Sequence, residues 1–85
     1  MKENNVLINE LANLGLTQSD LAKRLNLTQG QVSRTIHLLD SKQRLKNAKP
    51  HLTLHRIFKL LQSCGSKLDF YEETRKVMEG NNENI

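Results

Sequence analysis

The sequence predicts an all-α domain of five helices. Leucines recur at helical spacing, as in Leu7, Leu11 and Leu14, and no segment alternates convincingly between apolar and polar residues. Two near-identical helix starts, at Thr17 and Thr28, stand eleven residues apart, which leaves room for one short helix and one tight turn. The chain of 85 residues is long enough for one core and too short for two. The expected organisation is a single domain over residues 1–80 and a polar, disordered tail over 81–85.

The first helix is expected over Asn5 to Leu14, stopped by Gly15. Leu16-Thr17-Gln18-Ser19-Asp20-Leu21 is then echoed by Leu27-Thr28-Gln29-Gly30-Gln31-Val32. In each copy the threonine is an N-cap whose hydroxyl can accept an orphan backbone N–H. Gln31, and Asp20 with its shorter side chain, stand where they complete a capping box. Leu16 with Leu21, and Leu27 with Val32, make hydrophobic staples. Helix 2 follows over Gln18–Leu25, with Asn26 as the left-handed residue at its end. Helix 3 follows over Gln29–Leu39, with Val32, Ile36 and Leu39 facing inward.

From Asp40 to His51 the chain reads mainly as a basic loop, because Leu45 breaks the inward stripe of helix 3 and Pro50 disfavours helix at Lys49, an extension of helix 3 into its first residues being the alternative. Thr53 is expected to cap helix 4, with Leu52 and Ile57 as a staple and Leu54, Ile57, Phe58 and Leu61 inward. Ser66 with Asp69 is expected to open helix 5 over Lys67–Glu79, its stripe being Phe70, Tyr71, Thr74, Val77 and Met78. A short strand at Lys67–Tyr71 is the alternative.

The charge is unevenly placed. Residues 21–60 hold nine lysines and arginines against Asp40 alone, a balance of +8, while the remainder holds four bases against eight acids, a balance of −4. A basic middle between acidic ends points to a polyanion such as nucleic acid, the bland reading being a solvated surface. No apolar run approaches the ~20 residues of a bilayer span, and there is no signal-peptide pattern. A single cysteine excludes an internal disulfide and suits a reducing compartment. The expected location is the cytoplasm, in association with the nucleoid.

A short capped helix, a tight turn at Leu25–Thr28 and a second capped helix make a helix-turn-helix over residues 18–39. Ala22 is small where the two helices cross, and Leu21, Leu25 and Val32 lock the crossing from inside. The second helix exposes Gln29, Gly30, Ser33, Arg34 and His37. Such a helix can enter the major groove of double-stranded DNA with its first turns against base edges.

Leu16 through Val32 resembles the helix-turn-helix of the lambdoid phage repressor, Cro and Xre family, with alanine at Ala22, the turn residue at Asn26 and an aliphatic residue at Val32. Thr53 to Gly65 is similar to the fourth helix of that five-helix, repressor-like domain. The resemblance covers residues 16–36 and 53–69. It implies that Gln29, Arg34 and, to a lesser degree, Ser33 read bases. It also implies that Gln18 binds a phosphate and braces the glutamine at the start of helix 3. The chemistry agrees, since glutamine pairs with adenine and arginine with guanine. Thr28 and the basic residues Lys42, Arg44 and Lys46 are the further phosphate contacts.

The function expected from these residues is a sequence-specific transcriptional regulator, a repressor that binds a palindromic operator as a homodimer. Val32 to Leu39 also looks like the helix-turn-helix of ParB-type plasmid partition proteins, so a partition or maintenance factor is one alternative. An antitoxin that binds a toxin and represses its own operon is the other. No catalytic constellation is evident, so neither an enzyme nor a cofactor is expected. His51 and His55 have i, i+4 spacing but no carboxylate or thiol beside them to complete a metal site. Cys64 is expected to be buried. Phe70, Tyr71, Val77 and Met78 supply either core or a dimer interface.

Overall fold

The computed structural model describes residues 5–47 and 51–79. Gly80, the 81–85 tail, Lys49 and Pro50 lie outside the described residues. Among the described residues six α-helices run in order: α1 Val6–Leu14, α2 Gln18–Leu25, α3 Gln29–Ile36, α4 Lys42–Asn47, α5 Leu52–Ser63 and α6 Phe70–Glu79, with a 3-10 turn at His37–Asp40 between α3 and α4. The architecture is all-helical, with one helix more than the sequence suggests. Among the described residues no strand forms, at Lys67–Tyr71 or elsewhere.

Helices α1 and α2 start and stop, and α3 starts, by local chemistry. Asn5 stands just outside α1 as its N-cap, its side-chain oxygen accepting from the Leu7 and Ile8 amides. Gly15 closes the helix at φ 72°, a conformation that costs glycine nothing. Both capping boxes form. The Thr17 hydroxyl accepts from the Asp20 amide while the Asp20 carboxylate accepts from the Thr17 amide. Thr28 and Gln31 repeat the exchange. Asn26 takes φ 60° at the end of α2.

Helix α3 is shorter than the expected Gln29–Leu39, because it tightens after Ile36. The Ile36 carbonyl, which a continuing α-helix would offer to the Asp40 amide, accepts from the Asn5 side-chain amide at 2.8 Å. Leu39 is still buried.

The stretch expected to be a basic loop contains a helix. Ser41 is extended and its hydroxyl accepts from the Arg44 amide, so a new turn starts there. Leu45, which fits no stripe of α3, is the buried residue of this separate helix α4.

Helix α5 also differs at its start. It begins at Leu52 with His51 in the cap position, so Thr53 lies inside the first turn and does not cap it. Leu52 is 62% exposed and makes no staple with Ile57. A tertiary bond sets this boundary: the His51 Nε2–H donates to the Leu45 carbonyl at 2.9 Å, fastening α5 to α4. The expected inner face of Leu54, Ile57, Phe58 and Leu61 is buried throughout. Cys64 is only half-buried, with the Arg24 guanidinium 3.5 Å from its sulfur.

Helix α6 starts at Phe70, three residues later than Lys67. Ser66 accepts from the Leu68 amide in a local turn, and Asp69 accepts from the Glu72 amide as the cap. The inward line is Phe70, Glu73, Thr74 and Val77. Glu73 is buried and paired with Lys76, while Tyr71 is 69% exposed and Met78 is also exposed. The period is as expected, but the helix is rotated.

One core joins these elements: Leu7 and Leu11 from α1, Leu21 and Ala22 from α2, Val32 and Ile36 from α3, Leu39, Leu45 and the inner face of α5. Helix α2 packs on α3, α5 lies against both, and α6 closes over α4 and the 3-10 turn. Ala22 is buried at the α2–α3 crossing. Ala22→Leu should cost about 1–3 kcal/mol by overpacking. Thermal melting checks this, and a mutant that melts with the parent would mean the crossing has room to spare.

Candidate nucleic-acid interface

The turn between α2 and α3 is held by the Leu27 amide donating to the Ala22 carbonyl at 2.9 Å. From α5, the Arg56 guanidinium donates to the Leu25 carbonyl at 3.1 Å. That bond satisfies an acceptor left open at the end of α2 and ties the turn to the core helix. Arg56, counted in the basic middle of the sequence, is thus engaged in structure.

Helix α3 presents Gln29, Gly30, Gln31 and Arg34 to solvent, with Ser33 half-buried. Arg34 folds back along the helix: its Nη1 lies 3.6 Å from the point where a β-carbon on Gly30 would stand. The bare Gly30 backbone therefore forms the bed on which the guanidinium rests, on the side of the Thr28 cap. Gln18 is half-buried at the start of α2. Among the described residues no hydrogen bond joins it to Gln29, so the expected brace is not formed in this structure. The Thr28 hydroxyl already accepts from the Gln31 amide, which leaves its own proton to donate.

Lys42, Arg44 and Lys46 are exposed on α4 rather than on a loop, with Leu45 pointing inward between them. They do not share one role. Arg44 lines a cleft of about 510 Å³ together with Ser33, Arg34, His37, Leu38 and Asn47. Lys42 and Lys46 do not line it, and stand one turn apart on α4. The cleft thus joins one expected base reader, Arg34, to one expected phosphate contact, Arg44. Asn47 was not among the expected site residues, because nothing in its surroundings marks a helix end facing α3. Leu38 and Arg34 also border a second hollow with Gln31, Thr35 and Thr53.

A polar chain buttresses the end of α3. Asn5, 3% exposed, donates its amide to the Ile36 carbonyl and to Asp40, while its oxygen caps α1. Asp40 in turn pairs with Nδ1 of His37. Partial burial alone would raise the Asp40 carboxyl, but the hydrogen bonds from Asn5 and His37, with the charges of His37 and Arg44, outweigh it and hold the group below its ordinary range. All four bonding positions of the Asn5 side chain are used. The sequence marked Asn5 only as the start of a helix, because its partners are 31 and 35 residues away.

Among the described residues, no group of three His, Cys, Asp or Glu side chains could hold a metal ion. His51 and His55 instead meet the edge of Phe70. No described helix is long and apolar enough to cross a membrane. Comparison of the chain with protein-family models, curated proteins and solved structures gave no match.

Proposed function

We propose that this protein is a sequence-specific DNA-binding transcriptional regulator that acts as a homodimer on a palindromic operator. The observation that carries the reading is the exposed face of α3, with Gln29 and Arg34 beside the capped N-terminus, flanked by the basic helix α4. A short helix held from behind by α2 and α5 can enter the major groove, while cations on a flanking element contact phosphates. A single such motif reads only ~4–6 base pairs, so two half-sites one helical turn apart are needed for specificity. The exposed Tyr71 and Met78 on α6 offer apolar surface for the second copy. The proposed output is repression by occlusion of a promoter.

Selection of bound duplexes from a random pool tests the reading. A symmetric motif is expected, and an asymmetric site bound by a strict monomer would refute the dimer. Arg34→Ala should cost about 1–3 kcal/mol on the selected site and little on scrambled DNA. Replacing Lys42 and Lys46 by Ala should weaken both duplexes alike and flatten the log-affinity against log-salt slope by about 0.9 per lost contact. Titrations at several salt concentrations separate the two. Equal loss of specificity from both variants would mean that α4 enters the groove.

A further inference from the structure

We propose that the cleft between α3 and α4 is a phosphate-binding site in which His37, oriented by Asp40, donates a hydrogen bond to a phosphodiester oxygen only when its ring is doubly protonated. The inference deepens the DNA-binding reading and rests on it for the source of the phosphate. Three observations support it. The cleft is lined by the side chains of Arg34 and Arg44, with Ser33 and Asn47 as polar neighbours and Leu38 as an apolar wall. Its volume of about 510 Å³ falls within the roughly 300–1,000 Å³ of ligand pockets, and it opens beside α3. When a helix lies in the major groove, the sugar–phosphate strands run along its flanks. A basic cleft alongside α3 is therefore placed for a phosphate rather than for a base edge.

The third observation is the state of the His37 ring. Its Nδ1 is engaged by the Asp40 carboxylate, and Asp40 is in turn held by Asn5. In the neutral ring the single proton sits on Nδ1, where it donates to Asp40. Nε2 then carries a lone pair, which repels a phosphate oxygen. Among the described residues Nε2 has no hydrogen-bond partner. Taking up one proton turns Nε2 into a charged donor while the bond to Asp40 stays in place. The charged groups around the ring are Asp40 on its own turn, Arg34 on α3 and Arg44 on α4. Helix α6, which packs on the same turn, contributes Glu73, already paired with Lys76. The carboxylate nearest the ring is thus the one that orients it. The two arginines supply phosphate affinity at every pH, and His37 adds a proton-dependent contact.

The test is operator affinity at pH 7.5 and pH 6.0 for the parent and for His37→Gln, with folding checked by circular dichroism at both values. His51 and His55 remain in both proteins, so the difference between them isolates His37. The parent should bind more tightly at pH 6.0 by several-fold to about 10-fold per half-site, as for one added charge-assisted hydrogen bond in each protomer. Its log-affinity against log-salt slope should steepen by about 0.9 for each protomer, one more phosphate neutralised per half-site. His37→Gln should show neither change. A parent with equal affinity and equal slope at the two values would overturn the proposal, as would a variant that keeps the full pH response. A second arm uses inorganic phosphate and follows the His37 ring resonances by NMR at pH 6.0. Perturbation of His37 by phosphate, in a protein that binds no duplex at any pH, would uphold the site and refute its assignment to DNA. Duplex binding that leaves the His37 resonances unmoved would refute the site and leave the DNA reading standing.

Discussion

Leu45→Ala should destabilise the fold by about 2–5 kcal/mol, the range for removing a buried leucine when the space left behind cannot fully close. Leu45 is 1% exposed and is the buried anchor of α4. That helix spans only Lys42–Asn47, far below the ~12–15 residues at which a helix is even marginal alone. Its existence therefore depends on packing against the 3-10 turn and α6. A domain of this size has roughly 5–10 kcal/mol in total, so the loss is a large share. The same anchoring places Arg44 in the cleft that Arg34 also lines. Urea unfolding should show a lower midpoint, and amide exchange over residues 42–47 should accelerate more than over α5. A shift below about 0.5 kcal/mol would mean that Leu45 is not a core residue and that the stretch behaves as a loop.

Asn5→Ala should cost about 2–4 kcal/mol, combining the loss of an N-cap (about 1) with a buried carbonyl left without its donor (about 1–3). The carbonyl is that of Ile36, at the end of α3, and the same amide also reaches Asp40. Asn5→Asp separates the two roles. It keeps an acceptor for the Leu7 and Ile8 amides, and a carboxylate suits a helix N-terminus. It cannot donate to Ile36, however, and it brings a like charge against Asp40. If the bridge matters, the aspartate variant is as unstable as the alanine one. A near-parental aspartate variant would mean that capping is the whole contribution.

The pH dependence of stability reports the same bridge. The Asp40 carboxyl is held below its ordinary range in the folded protein, so its contribution is fully present above the unfolded value. It is lost as pH falls through the folded one. Asn5→Ala removes one of the hydrogen bonds responsible, and stability should then fall less steeply with acid in that window. Denaturant midpoints from neutral pH down into the carboxylate range measure it.

The legible parts of this protein were those whose partners lie within one helical turn. The boundaries of α2 follow from Thr17, Asp20 and Asn26, and the start of α3 from Thr28 and Gln31, because capping boxes and left-handed caps are satisfied by neighbours three or four residues away. The inner face of α5 was legible for the same reason, since Leu54, Ile57, Phe58 and Leu61 repeat at the helical period. The outer face of α3, with Gln29 and Arg34, followed directly from that register.

Tertiary contacts decided the rest. Helix α4 needs Leu45 to find a core that α3 does not share with it in sequence. The start of α5 moved to Leu52 because His51 bonds to the Leu45 carbonyl, a contact that no capping rule contains. The rotation of α6, which exposes Tyr71 and buries Glu73, depends on what α4 and the 3-10 turn present to it. The cleft exists only because α4 folds back beside α3, and α3 ends where it does because an asparagine 31 residues earlier takes its last carbonyl. Side-chain periodicity and capping are short-range and can be read along the chain. The pairing of a buried polar group with a distant partner depends on which surfaces meet, and only the folded chain brings those surfaces together.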